Sequence, residues 1–157
     1  MTTLSHLGVH FHHDLGVATA NALTSAQLGV EHVDVSVAGL GERAGNVPLE
    51  AFVAACSAGD ESIGLAIDTT TLLPTAHEVL DTLDEQVADS TPLLGADAFA
   101  HESGLHTAAM LDEPSTFEPF DPAQFGGTRR LMFGRATGRG AARRLLERVG
   151  TEPSDER

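Results

Sequence analysis

Two stretches decide the fold: LGVHFHHDLGVATAN at residues 7–21 and HVDVSVAGLGERAGNVPLEAF at residues 32–52. In the first, Leu7 to His12 is a short apolar run bounded by Asp14 and Gly16, the pattern of a buried strand. Val17 to Leu28 follows as an alanine-rich helix, with Gly29 placed as its stop. In the second stretch, His32 to Val37 has the β-branched alternation of a strand. A glycine-rich loop, Ala38 to Asn46, leads to a helix expected from Val47-Pro48 to about Ser57, with proline in its first turn and Asn46 as its N-cap. Strand, helix, strand, helix with short turns is the pattern of a parallel α/β unit. Parallel sheets need both faces covered, so two such strands are incomplete by themselves.

Beyond Gly59 the pattern loosens. Ile63 to Ile67 is a short apolar run, and Pro74 to Val87 reads as an acidic amphipathic helix. Pro92 to Ala98 is a connector and Ser103 to Leu111 a short helix. Three prolines and two glycines make 113–127 mostly turns. Thr128 to Phe133 is expected as a strand, Ala141 to Val149 as an arginine-rich helix, and 151–157 as a disordered tail.

Composition narrows the class. The 157 residues carry 23 acidic against nine basic side chains, a net charge of −14, and every basic residue is arginine. That field repels nucleic acid and anionic membranes, so neither is expected as a partner. It suits a protein kept soluble in very high salt, where screening removes self-repulsion. No apolar run reaches the roughly 18–20 residues that span a bilayer. The N-terminus has no basic region followed by an apolar run, so a cytoplasmic location is expected. The single cysteine, Cys56, reads as a small core residue.

Along a strand, residues i and i+2 share a face, so His10 and His12 present two imidazoles side by side, as a divalent metal requires. Asp14 returns to that face and can orient a ligand histidine, whereas His13 points away. Each feature alone has an ordinary alternative. An isolated His-x-His is equally a polar strand end, Asn46 a helix cap, and Gly39, Gly41 and Gly45 a plain turn.

Together the segments are more specific. HFHHDLGVATAN (10–21) and GLGERAGNVPLE (39–50) resemble the signature of the 2-isopropylmalate, homocitrate and citramalate synthases. AFAHESGLH (98–106) is similar to the segment after their barrel. PSTFEPFDP (114–122) with Gly126, and FGRATGR (133–139), are similar to their following subdomain. The resemblance implies an α/β fold: an incomplete (β/α)8 barrel holding the last two βα units over 1–90, then a small, mainly helical subdomain over 91–150. It implies His10, His12 and Asn46 as metal ligands for Mg, Mn or Zn, and His106 as the acid/base residue. Ser36 and Glu42 are implied as substrate contacts, with Asp14 supporting the ligands. The reaction implied is condensation of acetyl-CoA with a 2-oxo acid followed by thioester hydrolysis, with a homodimer because the subdomain reaches a neighbouring subunit.

The sequence also departs from the family. A Thr-Leu-Arg-Asp-Gly-type motif with the acidic metal ligand does not occur, and of a barrel's eight strands six are expected ahead of residue 1. Phe117 stands where a tyrosine is usual, Ala136-Thr137 where His-Ser is usual, His13 for Asn or Asp, and Ser36 for threonine. The large C-terminal regulatory domain of the leucine-pathway enzymes is not expected in this chain. The expectation is therefore a partial acyltransferase, inactive alone: either a truncated relic or the C-terminal portion of a split enzyme that needs a separate N-terminal half. The alternative is a non-catalytic metal-binding or dimerisation module acting with a partner chain. The oxo acid (oxoglutarate, oxoisovalerate or pyruvate) is left open.

Overall fold

In a computed structural model, the described residues are 6–59, 63–101 and 113–132, with 140, 143, 146, 147 and 150. The chain forms two compact units, Met1–Ala98 with Ala123–Gly127, and Phe99–Pro122 with Thr128–Arg157.

The first unit contains strand β1 (Gly8–Val9), helix α1 (Ala18–Gln27), strand β2 (His32–Val33), helix α2 (Leu49–Gly59) and helix α3 (Leu72–Leu83). β1 and β2 pair in parallel, Gly8 opposite His32 and Val9 opposite Val33. With α1 as the crossover this is a β-α-β unit. α1 stops where the glycine was expected to stop it. Gly29 N–H donates to Ala26 O (2.9 Å) and Val30 N–H to Ser25 O (3.0 Å), which satisfies the last carbonyls of the helix. Ala18 and Ala22 are fully buried and let α2 approach closely, so Phe52, Cys56 and Val47 close over them. Phe11, Leu23, Val33, Val35 and Ile63 pack round this cluster.

The strands are shorter than the apolar runs, because the chain finds other backbone partners past the first pairs. His12 bridges Asn46 in antiparallel fashion and Ser36 bridges Pro48 in parallel. Ser36 N–H donates to Val47 O (3.0 Å) and Leu49 N–H to Ser36 O (2.8 Å). Asn46, Val47 and Pro48 are thereby extended, and α2 begins at Leu49 rather than at Val47. The cap assignment for Asn46 is corrected by the same pairing, since it lies three residues before the helix.

α3 also shifts, covering 72–83 instead of 74–87. Asp68 accepts hydrogen bonds from Thr70 N (3.0 Å) and Thr70 Oγ1 (2.6 Å), which winds Thr69–Thr71 into a 3-10 turn feeding the helix. Pro74 falls within the first turn, where its missing N–H has no helical partner to lose. Asp84 ends the helix in the left-handed conformation (φ 53°), with Glu85 N–H returned to Leu80 O (3.0 Å). Leu72, Leu73, Ala76 and Leu80 form the buried face.

The second unit holds strands β3 (Ala100–His101) and β4 (Arg130–Leu131), paired in parallel with Ala100 opposite Arg130. β4 falls inside the expected strand, whereas β3 was not expected. Phe99 and Phe120 meet edge to face at 6.4 Å. Where a mainly helical subdomain was expected, the described part of this unit is a strand pair with 3-10 turns, and residues 140, 143, 146 and 147 are helical. The expected helix 103–111, the tail 151–157 and Ala136-Thr137 lie outside the described residues.

Candidate metal centre

β1 continues as extended chain through His10 and His12, whose ring centroids lie 4.9 Å apart at 81°. The loop after β2 then folds back onto them. His13 N–H donates to Gly45 O (2.8 Å) and Asn46 N–H to Gly39 O (2.8 Å), so Asn46 is held beside His12. Asn46 Nδ2 donates to Leu40 O (3.2 Å), which fixes the amide against the loop. That oxygen is buried without a hydrogen-bond partner, as is Nδ1 of His12.

The loop sequence explains how this approach is possible. Ala38, Gly39, Arg43 and Gly45 all have positive φ. At Gly45 (φ 89°) a β-carbon would overlap the Gly39 carbonyl, and at Gly41 it would lie 2.5 Å from Asn46 Nδ2. Glycine is required at both places because the Asn46 side chain packs directly onto the loop backbone. Ala38 is left-handed without being glycine, a conformation costing about 1 kcal/mol. Its N–H is held by Glu50 Oε2 (3.0 Å), reaching back from the first turn of α2.

Two residues missed in the sequence support this arrangement. Asp34 Oδ2 lies 3.3 Å from His10 Nδ1. The parallel register foretells the pair, because Gly8 opposite His32 places His10 opposite Asp34. Glu50 is 1% exposed, and its Oε1 has no partner. Burial raises its carboxyl above the ordinary range, with hydrogen bonds from backbone N–H groups and the charge of His77 opposing.

The other candidates are placed as follows. Ser36 Oγ is buried and unpartnered, while Glu42 is exposed and contributes its carbonyl to Gly45 N–H (2.9 Å). Asp14 takes a bidentate ion pair with Arg43, at 3.0 and 2.8 Å. The Arg43 hydrogen bonds hold the Asp14 carboxyl below its usual range. Its hydrogen-bonding partner is thus an arginine of the loop, and Asp34 is the carboxylate paired with a histidine. Arg43 clamps the loop across to the end of β1. His106 lies outside the described residues. A cleft of about 290 Å³ lined by Val37, Glu50, Ile67, Asp68, Thr71 and Thr75 does not include His10, His12 or Asn46. Burial pushes the Cys56 thiol up, which makes it an inert core group.

Two imidazoles and an amide oxygen are a donor set for a divalent ion, and the buried, unpartnered Asn46 oxygen and His12 nitrogen are atoms that such an ion would satisfy. Residues 1–79 match the HMGL-like family model, half of the chain. The chain belongs to the HMGL-like family. Residues 93–157 match the homocitrate synthase post-HMGL domain-like family. Homocitrate synthase AksA of Methanopyrus kandleri is 39% identical over 152 residues, covering 96% of this chain and 38% of that protein. The homocitrate synthase of Frankia alni is 41% identical over 142 residues, 90% of this chain and 40% of that protein. The 2-isopropylmalate synthase of Pyrococcus furiosus is 37% identical over 153 residues, 96% of this chain and 31% of that protein. The resemblance to homocitrate and 2-isopropylmalate synthases is therefore borne out, and the chain spans about two-fifths or less of these relatives' length. Among the described residues, no helix is long and apolar enough to cross a membrane.

Proposed function

We propose that this chain supplies the metal-binding end of a cytoplasmic acyltransferase that condenses acetyl-CoA with a 2-oxo acid. In this reading β1-α1 and β2-α2 are the last two βα units of a barrel, and further chain, covalent or separate, provides the acidic ligand and the other strands. The observation that carries the reading is the antiparallel bridge between His12 and Asn46: the Asn46 oxygen is buried and unpartnered, and His12 in turn lies against His10.

His10, His12 and Asn46 hold a divalent ion, Mg, Mn or Zn, and Asp34 fixes the orientation of His10. Such an ion, when bound, supplies Lewis acidity toward a 2-oxo group. Ser36 and Glu42 contact the substrate from the loop side. His106 moves the proton during carbon–carbon bond formation. Glu50 keeps Ala38, and through Gly39 the Asn46 backbone, in place.

The test is Zn²⁺ titration of the chain against its Asn46→Ala and His12→Ala variants, with circular dichroism confirming the fold. Each substitution is expected to weaken binding at this site at least tenfold. Unchanged binding in Asn46→Ala would remove the proposed ligand set. Thiol release from acetyl-CoA in the presence of each 2-oxo acid is expected only when the complementary barrel strands are present.

A further inference from the structure

The opposite end of the same strand pair gathers a second set of ligand atoms. His6, two residues before β1, places Nδ1 2.7 Å from Glu31 Oε2. His32, the first residue of β2, joins them, and one ligand atom from each of the three lies within 4.8 Å of the others. The backbone brings them together: Glu31 N–H and His32 N–H both lie 3.3 Å from Leu7 O, and His32 is in register with Gly8. Gly8 has no side chain to intrude between His6 and His32. The His6 and Glu31 side chains are 76% and 53% exposed, so water can complete a coordination shell.

We propose that His6, Glu31 and His32 form a second divalent-cation site, selective for a borderline ion such as Zn²⁺ over Mg²⁺ or Ca²⁺. Two imidazole nitrogens and one carboxylate oxygen are the three-ligand set that zinc accepts with a water in its fourth position, whereas Mg²⁺ and Ca²⁺ prefer all-oxygen shells. Only small side-chain movements are needed, since ligands of a tetrahedral zinc lie roughly 3.3 Å apart, as Zn–N and Zn–O bonds of about 2.0–2.1 Å require. No lysine exists in the chain to compete for Glu31, and among the described residues that carboxylate pairs with His6. The net charge of −14 raises the local cation concentration further. Six residues of extended chain, about 20 Å, separate His6 from His12, so the two sites do not share an ion. This site does not depend on the function proposed above.

The experiment is Zn²⁺ titration of tag-free full chain against a competing chromogenic chelator, using two double variants. His12→Ala/Asn46→Ala removes the first site, and His6→Gln/His32→Gln removes the second; the latter replaces exposed side chains and leaves the core untouched. In the His12→Ala/Asn46→Ala protein one equivalent of Zn²⁺ is expected to remain bound. Adding His6→Gln/His32→Gln should weaken that binding at least tenfold, and a hundredfold excess of Mg²⁺ should not displace it. Loss of all Zn²⁺ binding in His12→Ala/Asn46→Ala would overturn the proposal. So would residual binding indifferent to His6→Gln/His32→Gln, or displaced by Mg²⁺.

Discussion

Two glutamates with largely covered side chains, one in each unit, meet opposite electrostatic fates. Glu118 shows 7% of its side chain to solvent but accepts from both Arg129 nitrogens and lies 3.2 Å from His101 Nε2. The Arg129 hydrogen bonds hold its carboxyl below the usual range. Glu50 is more deeply buried and, among the described residues, meets no arginine; the Ala38 N–H partners it, and burial raises its carboxyl. Burial alone thus does not set the behaviour of a carboxylate here. The partner does, and the contrast assigns Glu118 to holding β3 and β4 together and Glu50 to holding a left-handed loop.

The hardest test of that contrast removes a partner. Arg129→Met leaves Glu118, among the described residues, with His101 alone beside its carboxylate. An uncompensated buried charge costs about 3–5 kcal/mol, reduced here to about 2 kcal/mol because Arg129 is itself partly exposed. The amides of Arg130 and Met132, which donate to Phe99 O and His101 O, report the strand pair directly. Their hydrogen-exchange protection is expected to fall about 30-fold, the equivalent of that energy. Protection unchanged in the variant would show that Glu118 does not depend on the arginine.

Glu50→Gln probes the other side, with a smaller effect and the reverse sign. Glutamine keeps an oxygen for Ala38 N–H and removes the cost of burying a charge. The first unit should gain about 1 kcal/mol at pH 8, read as increased protection of the Ala38 and Asn46 amides. A loss instead would mean that the ionised form of Glu50 has a partner that lies beyond the described residues. Glu50→Ala should behave differently again, since it leaves the Ala38 donor unsatisfied and unlocks the loop that carries Asn46.

How much of this was legible in the sequence depended on whether a signal was local. Gly29 stopped α1 as expected because a helix end is decided by the residues next to it. The order strand, helix, strand, helix was readable for the same reason. Asn46 was misread as a cap because its partner, His12, is 34 positions away and pairing with it extends the chain through Pro48. Asp34 was overlooked although the register predicts it, since register becomes visible only once two strands are paired. Glu50 gave no signal at all: a glutamate in a first helical turn is normally a solvated residue that favours the helix dipole. The proposed ligand histidines stood out by their spacing, and Asn46 by the resemblance of the glycine loop that surrounds it.

Acidification should pull the two units apart energetically. A raised carboxyl such as Glu50 contributes stability that is full below its unfolded value, near 4.3, and lost as pH rises through the folded value. Lowering the pH from 7 toward that value therefore strengthens the Ala38 and Asn46 amides. A lowered carboxyl such as Glu118 contributes stability that is full above about 4.3 and lost as pH falls through its folded value. The Arg130 and Met132 amides should hold from pH 7 to that point and weaken only below it. Exchange protection followed residue by residue across this range separates the two slopes, and parallel slopes would contradict the assignment.

The smallest effect is the most discriminating. Asp14 is paired to Arg43 with the same bidentate geometry that Arg129 offers Glu118, and its carboxyl is lowered for the same first reason, but its side chain is 44% exposed. An exposed pair gains little over hydration and is screened by salt. Asp14→Asn is therefore expected to leave the melting midpoint where it was, and raising the salt concentration should leave parent and variant equally unchanged relative to each other. If Asp14→Asn instead costs as much as Arg129→Met, arginine geometry rather than desolvation governs both pairs, and the fate of Glu50 would follow from its missing arginine alone. An unchanged midpoint leaves the combination of burial and partner as the controlling quantity, with Asp14–Arg43 reduced to guiding the loop onto the end of β1.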